Sequence, residues 1–222
     1  MPSMPPQPPA PPGRIVVLNG APRAGKSSIV AVIQETFPGP WMNLGVDVWN
    51  LHVTPPHLRP GIGLRPGGER PDLEPFVRAA YAALYESIAA HSRLGLNVVT
   101  DVGHHDAYSR PLHILIDCAR RLAGVPALFV GVRCPLEVIM QRRNARQAGR
   151  EGRYVTGTPD DPVPAPVRRW QEEVHRPGIY DLEVDTSLLS PAECTARIRE
   201  RLDSGPPAAF ERLAALSVPE SE

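Results

Sequence analysis

Residues 20–27, GAPRAGKS, constrain the fold of this chain more than any other stretch. They match the pattern GxxxxGK[ST], in which a glycine-bearing loop connects a buried strand to the first turn of a helix. The flanking residues agree with this reading. Residues 14–19 form a short apolar, β-branched run, and residues 27–37 carry apolar side chains at helical spacing. The sequence therefore predicts a strand, a phosphate-binding loop and a helix in direct succession.

Such a loop encloses phosphate groups with its backbone N–H groups and with the positive end of the following helix. We expect Lys26 between the outer phosphates of ATP and the Ser27 hydroxyl on Mg²⁺. Lys26 is the only lysine among the 24 Lys and Arg residues, and its compact charge is not imitated by a planar guanidinium. The residues expected to bind the nucleotide at this loop are Gly20, Ala21, Pro22, Arg23, Ala24, Gly25, Lys26, Ser27 and Ser28.

The rest of the chain alternates short apolar runs with amphipathic segments. This alternation predicts an α/β, three-layer P-loop NTPase fold with a mainly parallel, five-stranded sheet. After the first strand and helix, the predicted strands are 41–46, 97–100, 127–132 and 182–185, and the predicted helices are 72–92, 109–123, 135–147, 166–174 and 191–202.

One folded domain is predicted at residues 13–203. Residues 1–12 hold seven prolines and are expected to form a disordered tail, and residues 204–222 are expected to be weakly structured. Residues 54–71 are rich in Pro and Gly, and a loop of that length is more often functional than idle. Gly, Pro and Asp dominate residues 149–166, which predicts a mobile lid segment at about 142–166.

Two carboxylates follow predicted strands. Asp101 ends one strand and is a candidate ligand of Mg²⁺, with a helix-capping or loop carboxylate as the alternative. Asp47 follows the second strand and is a candidate base for the proton of an attacking hydroxyl, with a surface carboxylate as the alternative. Because the carboxyl ends of parallel strands meet at one sheet edge, both are expected beside the P-loop.

Arg142 and Arg146 are four residues apart and are expected to share one helix face. Positioned at the start of the lid segment, they are candidates to close over the nucleotide and to stabilise charge on the transferring phosphoryl group. The alternative is a solvated arginine surface.

Composition excludes several classes of function. Acidic and basic residues balance at 24 each, which argues against a nucleic-acid partner. The three cysteines have no CxxC spacing, and neither a signal peptide nor a membrane span is recognisable, so we expect a cytoplasmic protein without a membrane partner. A GTPase switch would normally need a lysine in an NKxD motif downstream of the P-loop, and this chain has none there.

Six stretches resemble the chloramphenicol phosphotransferases: RIVVLNGAPRAGKSSI, PWMNLGVDVW, NVVTDVGHH, VGVRCPLEVIMQRRNAR, VH, and YDLEVDTSLLSPAEC. The resemblance spans about residues 14–202 and implies an O-phosphotransferase that uses ATP and Mg²⁺, with a nucleotide-kinase-like fold and Asp47 as the base. It also implies that the loop bearing Asp185 and Thr186 lies against the adenine. Where the family commonly has paired acids, this chain has Thr100 and Asp101.

The acceptor implied by the resemblance is a hydroxyl of a small molecule, with a chloramphenicol-like antibiotic first. Another small metabolite or a nucleotide-sugar is the alternative, and a toxin-like or polynucleotide kinase shares the fold. We expect Val48 and Trp49 at the acceptor pocket, although Trp49 could equally be core. Around it lie His104 and His105, whose favoured interpretation is hydrogen bonding within a loop.

Overall fold

The predicted five-stranded sheet is confirmed in a computed structural model that describes residues 11–145 and 155–217. All strand pairs are parallel, and the strand order is β2-β3-β1-β4-β5. The strands are β1 (Ile15–Asn19), β2 (Trp41–Asn43), β3 (Asn97–Val102), β4 (Ala127–Arg133) and β5 (Leu182–Asp185).

Helices cover both faces of the sheet and complete the three layers. The longer helices are α1 (Lys26–Thr36), α3 (Glu74–Arg93), α4 (Ile114–Arg121), α5 (Leu136–Asn144), α6 (Ala165–Glu173) and α7 (Pro191–Asp203). The shorter elements are α2 (Val46–Val48), the π-helical turn Trp49–Val53, the 3₁₀ turns Pro56–Leu58 and Gly61–Gly63, and α8 (Ala209–Ala214).

The strand β1 shows why both faces are covered. Ile15 and Val17 belong to the core cluster beneath α3, α4 and α8, whereas Val16 and Leu18 belong to the cluster beneath α1 and α7. All four side chains are fully buried. Successive residues of a strand point to opposite faces, so only a continuous apolar run suits a strand covered on both sides.

The register of the sheet sets the position of the phosphate-binding loop. Leu18 pairs with Asp101 and Asn19 with Val102, so β1 and β3 end side by side. The pairing of β2 with β3 continues for one residue beyond Asn43, because the Leu44 amide donates to the carbonyl oxygen of Val99 at 3.1 Å. The loops after β1, β2 and β3 therefore leave the sheet at one edge, as expected for parallel strands.

The prediction of a weakly structured C-terminus is wrong for residues 209–214, which form α8. Its Ala209, Phe210 and Leu213 are buried, and the Phe210 ring lies 4.8 Å from that of Phe129. The Asp181 carboxylate fixes the start of the helix by accepting bonds from the Ala208 and Ala209 amides, at 2.7 and 3.0 Å. This anchor is 27 residues distant in sequence, so no local pattern shows it.

Two predicted boundaries also differ. The helix expected at 109–123 begins only at Ile114, because the Asp106 carboxylate accepts the Leu112 and His113 amides at 2.8 Å and holds a turn there. The second strand ends at Asn43, where the Asn43 side chain accepts the Gly45 amide at 2.9 Å. No helix within the described ranges is long and apolar enough to cross a membrane.

Candidate active site

The P-loop connects β1 to α1 as predicted, and Lys26 is the first residue of that helix. Its Nζ donates to the carbonyl oxygens of Gly20 at 2.7 Å and of Ala21 at 3.0 Å. Gly25, just before the helix, has φ +96°, a left-handed conformation that side-chain-bearing residues rarely adopt. The ammonium group is thus held against the loop at the positive end of α1.

Asp101 lies beside the start of the same helix. Its Oδ2 accepts the Ser27 hydroxyl at 3.1 Å, while its Oδ1 faces Gly45. A Cβ at Gly45 would lie 2.0 Å from Oδ1, so only glycine leaves room for the carboxylate in this position. Burial raises the pKa of Asp101, although the Lys26 ammonium opposes this shift.

Asp47 lies in α2, two residues after Gly45, and its side chain is exposed to the cleft. It is close enough to contribute electrostatically to both Lys26 and Asp101. Burial lowers the pKa of the Lys26 ammonium, and the charges of Asp101 and Asp47 raise it. The structure therefore brings together the lysine and the two carboxylates that the sequence singled out.

These groups open into one large cleft of about 1390 Å³. One wall comes from the P-loop, and the other comes from α2 and the turns that follow it. The cleft is lined by Gly20, Pro22, Arg23, Gly25, Lys26, Ser27, Ser28, Ile29, Ala31, Val46, Asp47, Asn50, Leu51, Arg59, Pro60, Ile62, Gly63, Arg65, Asp101, Val102, Gly103, Arg142, Arg143, Val155, Pro166, Val167, Trp170, Thr186, Leu189 and Pro191.

Arg142 lies at the P-loop end of this cleft. Its guanidinium donates to the Thr186 hydroxyl at 3.0 Å and to the Thr186 carbonyl oxygen at 2.8 Å, and the Thr186 hydroxyl donates to the Ala24 carbonyl oxygen at 2.7 Å. The Arg142 carbonyl oxygen accepts a bond from Arg23. Arg142 thus connects the P-loop to the loop after β5. The other predicted arginine, Arg146, is outside the described residues, as is the segment 146–154 of the predicted lid.

Arg143 is a candidate that sequence reasoning passed over in favour of its neighbours. It lines the cleft, is 7% exposed, and its charge acts on Lys26. The side chain belongs to the buried face of α5 with Ile139 and Met140. Arg143 follows Ile139 by four residues and Met140 by three. This helical spacing from two apolar residues is the sequence signal that could have indicated a buried position for Arg143.

The sequence predicts Val48 and Trp49 at the acceptor pocket and Asp185 near the adenine. Val48 and Trp49 do not line the cleft, and Trp49 packs against the core cluster, whereas Asn50 and Leu51 do line it. The Asp185 carboxylate accepts bonds from the Ser187 amide at 2.8 Å and hydroxyl at 2.6 Å, so it stabilises the turn.

Both histidines are buried and hydrogen-bonded below the cleft. His104 Nε2 is 2.7 Å from the Tyr85 hydroxyl, and the His104 amide donates to Asn19 Oδ1 at 2.8 Å. His105 Nε2 lies 2.9 Å from the Leu64 carbonyl oxygen, so this nitrogen carries the proton and donates. Burial lowers the pKa of both, to about 3 for His104. Both histidines are thus hydrogen bonders of the loop after β3, and their partners lie in α3, in β1 and in the turns after α2.

The buried His104 leads to a stability prediction. Between pH 6.5 and its folded pKa of about 3, the unfolded chain binds a proton that the folded chain does not, so stability falls as the pH falls. We expect His104 to reduce the free energy of unfolding by about 2 kcal/mol between pH 6.5 and 5. Denaturant titrations of wild type and His104→Gln at both pH values measure this. An unchanged pH dependence in the variant would contradict the assignment.

The oxygen groups at the end of β3 suit Mg²⁺. Asp101 and the Ser27 hydroxyl are hard oxygen donors beside the phosphate loop, and Mg²⁺ is usually held by one or two carboxylates together with phosphate oxygens and water. Sites of this kind need few protein ligands. Ser27 and Asp101 would hold the ion, and this assignment stays a prediction.

A parallel sheet, a P-loop lysine and carboxylates at the same sheet edge place the chain among the P-loop nucleotide-binding proteins. The family model of chloramphenicol phosphotransferase-like proteins matches residues 13–203, and the chain belongs to that family. The resemblance noted from the six stretches is thereby confirmed, and the protein is a phosphotransferase.

Relatives and solved structures agree with this class. A candidate O-phosphotransferase of Mycobacterium tuberculosis, found in two strains, is 27% identical over 90% of this chain and 88% of its own length. A sugar kinase from Janibacter has a TM-score of 0.56 at 19% identity, over 89% of this chain and 98% of its own. The APS kinase of Mycobacterium tuberculosis, in complex with AMPPNP and APS, has a TM-score of 0.56 at 18% identity, over 87% and 99%.

Proposed function

We propose that this protein transfers the γ-phosphoryl group of ATP to a hydroxyl of a small molecule, with Mg²⁺ as cofactor. The observation that carries the proposal is the convergence of Lys26, Asp101 and Asp47 at one edge of the sheet, in a cleft with room for two substrates. A phosphate-holding cation, a metal-binding carboxylate and an exposed carboxylate are the groups that phosphoryl transfer requires. Such an enzyme would work in the cytoplasm, where ATP is available.

In this mechanism Asp47 accepts the proton of the attacking hydroxyl. Lys26 leaves the carbonyl oxygens of Gly20 and Ala21 to bind phosphate oxygens, and Arg143 adds positive charge nearby. Bound Mg²⁺ would neutralise part of the developing charge. The charge-stabilising roles of Arg142 and Arg146 stay predictions. The contacts of Arg142 support a further role in bracing the Thr186 loop, where the adenine is proposed to lie with Asp185 at its edge.

Gly45 provides a test of the metal-binding role. In Gly45→Ala the new methyl group must displace the Asp101 carboxylate, since it would lie 2.0 Å from Oδ1. The glycine has φ −66°, so the alanine backbone itself is unstrained. We expect about a 10- to 100-fold loss of kcat/KM and a higher Mg²⁺ requirement.

A double-mutant cycle with Asp101→Asn supplies the control. If Gly45→Ala acts through the Asp101 carboxylate, adding it to Asp101→Asn costs little more activity. Fully additive losses would show that the methyl group damages the site by another route.

The acceptor is proposed from two lines of support. Family membership favours a chloramphenicol-like antibiotic, and such a protein would confer resistance. Another hydroxylated metabolite or a nucleotide-sugar is the second candidate, favoured by two arginine side chains that line the cleft outside the P-loop, Arg59 and Arg65.

The proposal is tested by measuring ATP consumption by purified protein with Mg²⁺, with and without chloramphenicol and a panel of hydroxylated antibiotics and metabolites. Product mass is checked for one added phosphate. Phosphorylated chloramphenicol would support the antibiotic acceptor, and turnover of a different compound would support the second candidate. No phosphorylated product from any acceptor would count against the kinase proposal.

A further inference from the structure

The described cleft carries an excess of positive charge. Six cationic side chains line it against two carboxylates, although the whole chain is neutral. Four of the cations lie at or near the P-loop, where ATP is proposed to bind. The remaining two, Arg59 and Arg65, come from the turns that follow Asp47 and Asn50. A nucleotide in the P-loop would not compensate the charge of these two arginines.

The wall that carries these two arginines is firmly anchored. Between them, Ile62 and Leu64 are buried, at 3% and 4% exposure. The Tyr81 hydroxyl donates to the Ile62 carbonyl oxygen at 3.0 Å, and His105 donates to that of Leu64 at 2.9 Å. Both donors come from the core beneath the cleft. The arginines therefore extend from a fixed backbone, and binding through them costs less ordering entropy than binding through a free loop.

Asn50 joins this wall to the turn that carries the base. A Cβ at Gly61 would lie 2.7 Å from Asn50 Oδ1, and one at Gly63 would lie 2.6 Å from Asn50 Nδ2. The two glycines thus pack directly on the amide. Asn50 lines the cleft three residues after Asp47. Its contacts with the two glycines therefore fix the distance between Asp47 and the segment that carries Arg59 and Arg65.

The Arg59 guanidinium is held in place by neutral groups. Its Nε donates to the Thr54 carbonyl oxygen at 3.1 Å and its Nη2 to that of Leu51 at 2.9 Å. Within residues 11–145 and 155–217, no carboxylate lies within 4.0 Å of it. Arg65 has an ion pair with Glu69 at 3.4 Å, but both side chains are nearly half exposed and such pairs contribute little.

From this arrangement we propose that the acceptor is a hydroxylated anion, whose carboxylate, phosphate or sulfonate group binds Arg59 and Arg65 while its hydroxyl faces Asp47. Planar guanidinium groups bind such oxyanions through paired, charge-assisted hydrogen bonds. The inference rests on the proposed kinase function and specifies the substrate class of the same cleft. It favours an anionic metabolite over a neutral antibiotic.

The test uses pairs of acceptors that share a hydroxyl scaffold and differ in charge: gluconate with sorbitol, glycerol phosphate with glycerol, and isethionate with ethylene glycol. Calorimetry measures their binding to protein preloaded with Mg²⁺ and AMPPNP, so that anions cannot occupy the P-loop. Turnover with ATP is measured in parallel. The pair with the largest preference identifies whether the anion is a carboxylate, a phosphate or a sulfonate.

We expect an anionic member to bind at least about tenfold more tightly than its neutral partner. Arg59→Ala or Arg65→Ala should lower kcat/KM for that anion by about 10- to 100-fold with an unchanged KM for ATP, and Arg59→Lys should restore part of it. Arg70→Ala is the matched control, since Arg70 is in the same segment but pairs with Asp72 and does not line the cleft.

Three results overturn the inference: tighter binding of the neutral members, an anion preference that survives both alanine substitutions, or no binding of any anion to nucleotide-loaded protein. If AMPPNP itself does not bind, the proposed kinase function fails, and the inference that rests on it fails too. The nucleotide titration therefore separates the two kinds of failure.

Discussion

Asp47→Asn is expected to lower kcat by about 100- to 10,000-fold, the range for loss of a general base. The substitution keeps the size of the side chain and removes its ability to take a proton. Asp47 is exposed in the cleft, so an amide of the same size fits without repacking of its neighbours. Steady-state kinetics with a phosphorylatable acceptor measure the loss.

The affinity of the variant for nucleotide distinguishes the loss of a general base from a general disturbance of the site. We expect Asp47→Asn to bind AMPPNP nearly as tightly as wild type, because the P-loop contacts of Lys26 do not involve Asp47. Asp72→Asn is the matched control, since that carboxylate is 61% exposed and pairs with Arg70 away from the cleft. Full kcat in Asp47→Asn would show that another group takes the proton.

Lys26→Ala is expected to reduce kcat/KM for ATP by about 100- to 1,000-fold, as when one preorganised charge-stabilising donor is removed. Lys26 is the only lysine in the chain and lies over the P-loop carbonyls at the start of α1. Unlike Asp47→Asn, this variant should also bind AMPPNP more weakly, because the ammonium contacts phosphates in the ground state as well as in the transition state. Calorimetry and initial rates measure the two effects.

Lys26→Arg distinguishes a requirement for shape from one for charge alone. A guanidinium keeps the positive charge, but it is planar and bulkier than the ammonium that fits between the Gly20 and Ala21 carbonyls. We expect this variant to lose activity as Lys26→Ala does, and Arg176→Ala, with a side chain 72% exposed, to keep it. Wild-type activity in Lys26→Arg would contradict a specific ammonium site.

The sequence predicted the parts of the fold that local patterns encode. The apolar run of β1 and the GxxxxGK[ST] spacing reflect steric and hydrogen-bonding rules that act within a few residues. The positions of Asp47 and Asp101 at one edge of the sheet were inferred from the ends of the predicted strands. The helix α8 was missed because its anchor, Asp181, is distant in the chain. Local propensity does not report such a contact.

The part of the cleft that carries Arg59 and Arg65 was unpredictable for a related reason. Residues 54–71 have no apolar period, so the sequence indicated only a long loop. The backbone between Arg59 and Arg65 is held by Tyr81 and His105, from α3 and the segment after β3, which reach the loop through tertiary hydrogen bonds. Arg142 was identified by helix spacing, yet its contact with Thr186, 44 residues away, appears only in the fold.

Phosphoryl transfer by this protein is tested by following the γ-phosphoryl group itself. Protein is incubated with Mg²⁺ and γ-labelled ATP in the presence of a phosphorylatable acceptor, and the products are separated. We expect label on the acceptor as an organic phosphate ester, and we expect Asp47→Asn to abolish it. Label released only as inorganic phosphate, at the same rate with and without any acceptor, would contradict a phosphotransferase and indicate a hydrolytic nucleotide switch.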